Sequence, residues 1–306
     1  MSFSADTKAE LCRVRLLNTD TAGAECYGVL LYAHTFSPRE VRIVTANNAF
    51  AERLPKLFEK AFSLSFDRAD APGEGKRSFV IHDGRKLDRL FTAFGSDRDT
   101  ALSHHVNFSV LEEDDCRAAF FRGAFLAGGS ITAPDKGFHL ELATPHASVC
   151  RESRSLLQDM GFEPKEAARG GSALLYFKKA DVISDLLTTI GASSAAMDVL
   201  NAKVERDVRN TVTRRVNCDT ANADRVVSAA QEQLDAIKQI VKEYGIDALP
   251  EPLRDAALLR IANPEASLSD LAQLSYPPVS KSCLSYRLKK IITMSPRPQK
   301  ADESGR

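Results

Sequence analysis

The sequence predicts a mixed α+β unit built from two related copies, followed by an all-helical unit. Three observations predict it. A glycine-led apolar helix recurs from Gly28 to Gly123, 95 positions on. Each copy is followed by the same succession of strand-like and helix-like patterns. After Pro250 the chain breaks into three short helical stretches with no alternating segment between them. A fixed internal period changes the reading of a whole fold, so the repeat comes first.

In the first copy GVLLYAHTF (28–36) faces GAFLAGGSI (123–131) of the second. Glycine falls on glycine and one apolar helical run on another. A small-polar-apolar end follows, Thr35-Phe36 against Ser130-Ile131. VRIVTA (41–46) and HLELAT (139–144) then alternate as half-buried strands do. A helix follows each, with apolar positions Phe50, Leu54, Leu57, Phe58 and Phe62 in one copy and Val149, Leu156 and Leu157 in the other. Strand-like pieces at 78–82 and 173–178 and helices at 85–94 and 181–190 complete the two units. In the second copy Gly123, Ala124, Ala127, Gly128 and Gly129 lie along one helix side. Glycine costs about 1 kcal/mol in a helix interior relative to alanine. Close approach of a second helix backbone supplies a reason to bear that cost. Two such helices in one chain predict helix-on-helix packing about a pseudo-twofold axis, with the flanking sheets forming a saddle.

Between the two parts, residues 203–217 carry Lys203, Arg206, Arg209, Arg214 and Arg215 against two acids. Two uses fit: phosphate contact, or clamping of the repeat unit to the next helix. Asp219 or Thr220 is expected to cap a helix beginning near Asn222. Val226, Ala230, Leu234, Ile237, Val241 and Tyr244 would form its single apolar stripe, and Gly245 would end it. Pro252 then opens a first short helix with Leu253, Ala256, Ala257 and Ile261, broken at Asn263-Pro264. Ser267 starts a second, with Leu268, Leu271, Ala272 and Leu274, in a capping-box-like SLSD segment. The turn 275–279 holds Tyr-Pro-Pro, which makes it long and stiff. Ser280 caps the third, with Leu284, Leu288, Ile291 and Ile292 buried and Lys281, Ser282, Ser285, Tyr286 and Lys289 on the open side.

Two helices joined by a turn, the second with a polar and cationic first half, describe a helix-turn-helix whose last helix enters the major groove of DNA. On that reading Ser282, Ser285 and Tyr286 face base edges beside Ser280 and Lys281, while Arg287, Lys289 and Lys290 touch phosphate. A protein-docking helical bundle is the alternative. Charge distribution favours DNA. The whole chain is neutral, with 41 basic and 41 acidic residues, but seven bases face two acids from Lys281 onward. Residues 232–270 carry eight acids and four bases.

Composition sets the outer bounds. A chain of 306 residues suggests about two domains. With 43% hydrophobic and 27% charged residues, both can bury a core. The six cysteines (12, 26, 116, 150, 218 and 283) include no CxxC pair, which suits free thiols in a reducing compartment. No basic start followed by an apolar run and no membrane-length apolar stretch occurs, so a cytoplasmic location is expected. Enzyme signals are poor. His104-His105, read as neighbours on a strand, would point to opposite faces. His139 and His146 have no second ligand cluster. Gly128-Gly129 lacks the context of a nucleotide-binding loop. Gly73 and Gly75 read as a hairpin loop. Asp114 reads as a helix N-terminal acid that complements the dipole.

FFRGAFLAGGSI (120–131) resembles the LAGLIDADG motif of homing endonucleases. More specifically, the chain resembles the WhiA family of bacterial regulators in RGAFLAGGSI (122–131), RDVRNTVTRRVNCDTAN (206–222), GIDALPEPLRDAALLR (245–260) and SKSCLSYRLKKI (280–291). That resemblance implies two pseudo-twofold-related LAGLIDADG-like repeats, about 1–110 and 114–201, in a domain 1–217. A linker helix 218–246, a helix-turn-helix domain 247–295 and a disordered tail 296–306 follow. It also implies a role in cell division, chromosome segregation or sporulation-type transcription control. Active LAGLIDADG nucleases carry a metal-holding acid near the end of each motif helix. Here those positions fall on Ala33 and Gly128, so no catalytic residue, metal or cofactor is expected. The expected partner is double-stranded DNA, bound by a monomer in the nucleoid, with another transcriptional regulator as a candidate partner. The candidate contacts are Ser280, Lys281, Ser282, Ser285, Tyr286, Arg287, Lys289 and Lys290, with Arg206, Arg209, Arg214 and Arg215 as phosphate contacts. A scaffold for division proteins and a metal-dependent endonuclease are the competing classes.

Overall fold

The computed structural model describes residues 2–71, 73, 75–98 and 103–295. The expected disordered tail, 296–306, lies outside the described residues. Two compact units divide the chain, Met1–Asp207 and Val208–Arg306.

The first unit repeats one topology. Its first copy contains α2 (Thr19–Leu31), β1 (Thr35–Phe36), β2 (Val41–Thr45), α3 (Asn48–Phe62), β3 (Arg68–Ala69), β4 (Arg77–Ile81) and α4 (Gly84–Ala93), after a leading helix α1 (Phe3–Leu11). Its second copy contains α5 (Asp114–Gly128), β5 (Gly129–Ile131), β6 (Leu140–Thr144), α6 (Ala147–Asp159), β7 (Lys165–Arg169), β8 (Ser172–Phe177) and α7 (Ala180–Ile190). The antiparallel sheets run β1-β2-β4-β3 and β5-β6-β8-β7, the same order twice. The edge strands β1, β3 and β5 carry two or three residues, too few to show a period, and all five residues of β7 are exposed. They are what the sequence pattern leaves out. The apolar positions expected on α3 and α6 are all buried. Residues 103–107 form no strand, contrary to the reading of His104-His105.

The pseudo-twofold axis is written in α2 and α5. A Cβ on Gly28 would stand 1.9 Å from the Phe120 carbonyl oxygen and 2.8 Å from the Ala124 nitrogen. One on Gly123 would stand 2.0 Å from the Glu25 oxygen and 2.9 Å from the Val29 nitrogen. Each pair of clashes is the other moved along by the repeat, so the two helices touch backbone to backbone. Beside this contact Glu25, fully buried, receives Arg53 through Nε at 2.6 Å and Nη2 at 2.8 Å, and Arg122 through Nε at 2.9 Å. Arg53 also donates to the Cys12 and Val14 carbonyls, and Arg122 to the Ile190 carbonyl. One buried carboxylate thus ties α2 to α3 and α5.

Helix α8 runs unbroken from Ser193 to Tyr244, so the helix start expected near Asn222 is absent. No glycine or proline lies between Gly191 and Gly245. Capping residue types do not end a helix that lacks a breaker. Gly245 does terminate it, at φ +80°. The buried side of its last third is Ala230, Gln233, Ala236, Ile237 and Ile240. Val226, Val241 and Tyr244, expected inside, are exposed at 42%, 41% and 64%. The buried side thus lies one step round the helix from the expected stripe. Helices α9 (Glu251–Ala262), α10 (Leu268–Leu274) and α11 (Lys281–Met294) close the second core with Leu253, Ala256, Ala257, Leu271, Ala272, Leu284, Leu288 and Ile291. Ile261 and Leu274, also expected inside, face solvent, and the buried position on that side of α9 belongs to Arg260.

Candidate nucleic-acid interface

Arg260 fixes the frame from which α10 and α11 hang. Only 1% exposed, it donates from Nε to Gln233 of α8 at 2.9 Å and from Nη1 to the Ala266 carbonyl at 2.6 Å. No carboxylate among the described residues pairs with the guanidinium, and burial lowers its pKa. Its donors are met by an amide and by the loop leading into α10. Arg260 continues the three-and-four spacing of Leu253, Ala256 and Ala257, a signal that its charge masks in the sequence.

Ser267 opens α10 by accepting from the Asp270 backbone N–H at 3.3 Å and donating to its carboxylate at 2.8 Å. The turn 275–279 contains a cis Tyr276–Pro277 bond, and Ser275 Oγ donates to the Pro277 carbonyl at 3.0 Å. Ser280 caps α11 through the Cys283 N–H at 3.1 Å. Leu284, Leu288 and Ile291 are buried and Ile292 half-buried. Lys281, Ser282, Tyr286, Lys289 and Lys290 are exposed, Tyr286 at 66%. Ser285 and Arg287, expected open, are half-buried at the border of the packed face. None of the four bases on α11 pairs with a carboxylate among the described residues. The helix therefore presents a hydroxyl-rich, cationic side from its first turn onward.

The basic stretch of α8 divides in two. Lys203 pairs with Asp181 at 2.6 Å, and Arg206 lies over the Phe138 ring at 4.5 Å while donating to the Pro134 and Asp135 carbonyls at 3.4 and 3.5 Å. These two clamp the helix to the repeat unit. Arg209, Arg214 and Arg215 are exposed and make no ion pair with a described residue.

At the C-terminal ends of α2 and α5, where a LAGLIDADG nuclease would hold metal, a cavity of about 410 Å³ is lined by Tyr32, Ala33, His34, Thr45, Lys76 and Ser172 among others. None of its described lining residues is a carboxylate. A Cβ on Gly128 would stand 2.2 Å from the Ala143 carbonyl oxygen, so an acid there would have to displace β6. Asp114 and Asp115 sit in the first turn of α5, at its far end. Among the described residues, no group of three or more His, Cys, Asp or Glu is placed to hold a metal ion. The histidines serve locally. His104 Nε2 meets the Phe36 carbonyl at 2.6 Å and its ring lies edge-on to His146 at 4.6 Å, while His105 meets Glu152 at 2.6 Å.

Two pseudosymmetric α+β repeats joined to a capped helix-turn-helix define a class: a LAGLIDADG-like scaffold carrying a helical unit of DNA-binding type. Residues 117–209 match the family described as the WhiA LAGLIDADG-like domain, and residues 212–295 the WhiA C-terminal HTH domain. A probable cell division protein WhiA of Ruminiclostridium cellulolyticum is 34% identical over 99% of this chain and 100% of its own length. One of Clostridium botulinum is 33% identical over 95% of this chain and 96% of its own. The solved full-length DUF199/WhiA of Thermatoga maritima shares the fold at a TM-score of 0.59, with 24% identity over 96% of this chain and 98% of that one. The chain belongs to the WhiA family. No helix among the described residues is long and apolar enough to cross a membrane.

Proposed function

We propose that the protein is a DNA-binding regulator of the cell-division type named by its relatives, that α11 reads duplex DNA, and that the repeat unit does not cleave it. The observation that carries this reading is the division of α11 into a buried leucine-isoleucine seam and an open face bearing Lys281, Ser282, Tyr286, Lys289 and Lys290. A helix so placed offers hydroxyl and phenol groups to base edges while its bases take the phosphate walls. Ser280, Ser285 and Arg287 border the same face. The loss of nuclease activity rests on Ala33 and Gly128. Neither can ligate a metal, and cleavage of a phosphodiester relies on one to stabilise developing charge.

The test is duplex binding by the intact protein across a salt series. Lys281→Glu with Lys289→Glu is expected to remove at least ten-fold in affinity and flatten the salt dependence by about 2 in slope, at about 0.9 per phosphate lost. Binding indifferent to both changes would refute the assignment. Incubation of supercoiled DNA with the purified protein in magnesium is expected to leave it uncut. A second reading, a scaffold for division or chromosome proteins, draws on Leu258, Ile261 and Leu274, exposed at 50%, 47% and 57% in the same unit. Partner capture that survives the two lysine changes, with no duplex affinity in the parent protein, would favour it.

A further inference from the structure

The middle of α8 joins the two units and is exposed along its whole length. Every residue from 208 to 228 is exposed, on all sides of the helix. A helix in a folded unit ordinarily buries one face; one bare all round over some six turns is doing something other than packing. Its composition is polar and basic. Arg209, Asn210, Thr211, Thr213, Arg214, Arg215, Asn217, Thr220, Asn222 and Arg225 crowd into 17 residues, against Asp219 and Asp224. The bases just before it, Lys203 and Arg206, are tied to Asp181 and Phe138. Among the described residues, no carboxylate pairs with the guanidiniums within it.

The side chains are sorted around the axis. At 3.6 residues per turn, Asn210, Arg214, Asn217, Ala221 and Arg225 follow one another at steps of four, three, four and four, and so share a face. Arg209 and Arg215 flank that face about 120° to either side. Val208, Val212 and Val216 occupy the opposite side. Arginine can pair bidentately with a guanine edge and asparagine with an adenine edge. An α-helix about 10–12 Å across fits a major groove about 12 Å wide. Fifteen helical steps from Asn210 to Arg225 span about 22 Å, the rise of roughly six base pairs at 3.4 Å each. The Arg225 guanidinium reaches Asn222 Oδ1 at 3.4 Å, and Asp224 borders the face near that end. The reading surface is therefore strongest from Asn210 to Asn217.

From this arrangement we infer that residues 208–225 of α8 form a second DNA-reading helix, distinct from α11: Asn210, Arg214 and Asn217 address base edges in a major groove, and Arg209 and Arg215 hold the phosphates on its two walls. The inference rests on the DNA-binding reading above, and it adds base recognition outside the segment that α11 covers.

The experiment selects preferred sequences from a random duplex pool with the intact protein and repeats the selection with three variants. Asn210→Ala with Asn217→Ala is expected to keep the α11-dependent part of the site and lose base preference over a neighbouring stretch of roughly six base pairs. Arg214→Lys keeps the charge but not the planar fork, so it should leave the salt slope in place and relax one base position by about ten-fold. Arg209→Gln with Arg215→Gln should leave the preferred sequence unaltered and lower the salt slope by about 2. All five positions are solvent-exposed, so these variants are expected to fold. Selected sequences that do not change with Asn210, Asn217 and Arg214, or a slope indifferent to Arg209 and Arg215, overturn the inference while leaving α11 as reader. A parent protein that selects no sequence and binds no duplex overturns both.

Discussion

Gly28 and Gly123 stand at the closest approach in the first unit, and each is opposed by a carbonyl oxygen rather than by a side chain that could swing away. Alanine at either position must push two helix backbones apart, and overpacking of this kind costs about 3 kcal/mol or more. Gly28→Ala and Gly123→Ala are therefore expected to lower the urea midpoint of the first unit by similar amounts, because the repeat makes the two sites equivalent. Glu25 is the other residue on which this contact depends. Glu25→Gln would leave two guanidiniums buried beside a neutral amide, a loss of about 3–5 kcal/mol for breaking such a cluster from one side. A variant unfolding at the parental midpoint would show that the arginines find other partners. His146 gives the unit a pH dependence. Burial first, and then the neighbouring His104 ring, push its pKa down to about 4. The unfolded chain, near 6.5, takes up the proton first, so stability is full above about pH 6.5 and falls as pH drops from there toward 4. Burial likewise lowers His104, against the pull of the Phe36 carbonyl, and the two act in the same direction. Urea midpoints compared at pH 7 and pH 5 should differ less in His146→Gln than in the parent; an unchanged difference would rule His146 out as the titrating group.

Among the elements, α8 has the least uniform environment. Its last third is buried through Ala230, Gln233, Ala236, Ile237 and Ile240, while residues 208–228 are exposed throughout. Helical hydrogen bonds without side-chain burial open at low cost, so protection from amide exchange should divide along the helix. Amides of 210–226 are expected to exchange orders of magnitude faster than those of 236–241 in the free protein. Uniform protection along α8 would mean that the middle segment is covered. Helix α11 differs in being pinned. A capped N-terminus and the Leu284-Leu288-Ile291 seam fix which side faces out, and Arg260 holds the loop ahead of α10 on which its placement depends. Arg260→Leu removes a satisfied guanidinium and leaves Gln233 and the Ala266 carbonyl without their donor, at a cost of about 1–3 kcal/mol for each buried group.

For the molecule as a whole, two cores share no residue. One gathers the paired helices and the two sheets; the other gathers Ile237 and Ile240 with α9, α10 and α11. Separate cores predict separable unfolding. Gly123→Ala should shift one calorimetric transition and Arg260→Leu another, and a single transition moved equally by both would show the units to be thermodynamically coupled. The repeat was legible from sequence because it is local: glycine on glycine, strand alternation on strand alternation, at a constant shift. The capped α10 and α11 were legible for the same reason, since Ser267 and Ser280 act within their own first turns. Less legible was the interior of α9, where the position after Ala257 in the buried series carries a guanidinium, and the extent of α8, where Asp219, Thr220 and Asn222 imitate a helix start.

What the chain fixes alone is short-range: the period of each element, its caps and breakers, the doubled unit, and the absence of an acid at Ala33 and Gly128. Tertiary structure decided which side of α8 is covered, that Glu25, Arg53 and Arg122 meet, and that Arg260 belongs inside. The reason is that pairing between residues 28 or 97 positions apart, and the burial of a charge that only such pairing permits, depend on distances through space that no local pattern of residues encodes.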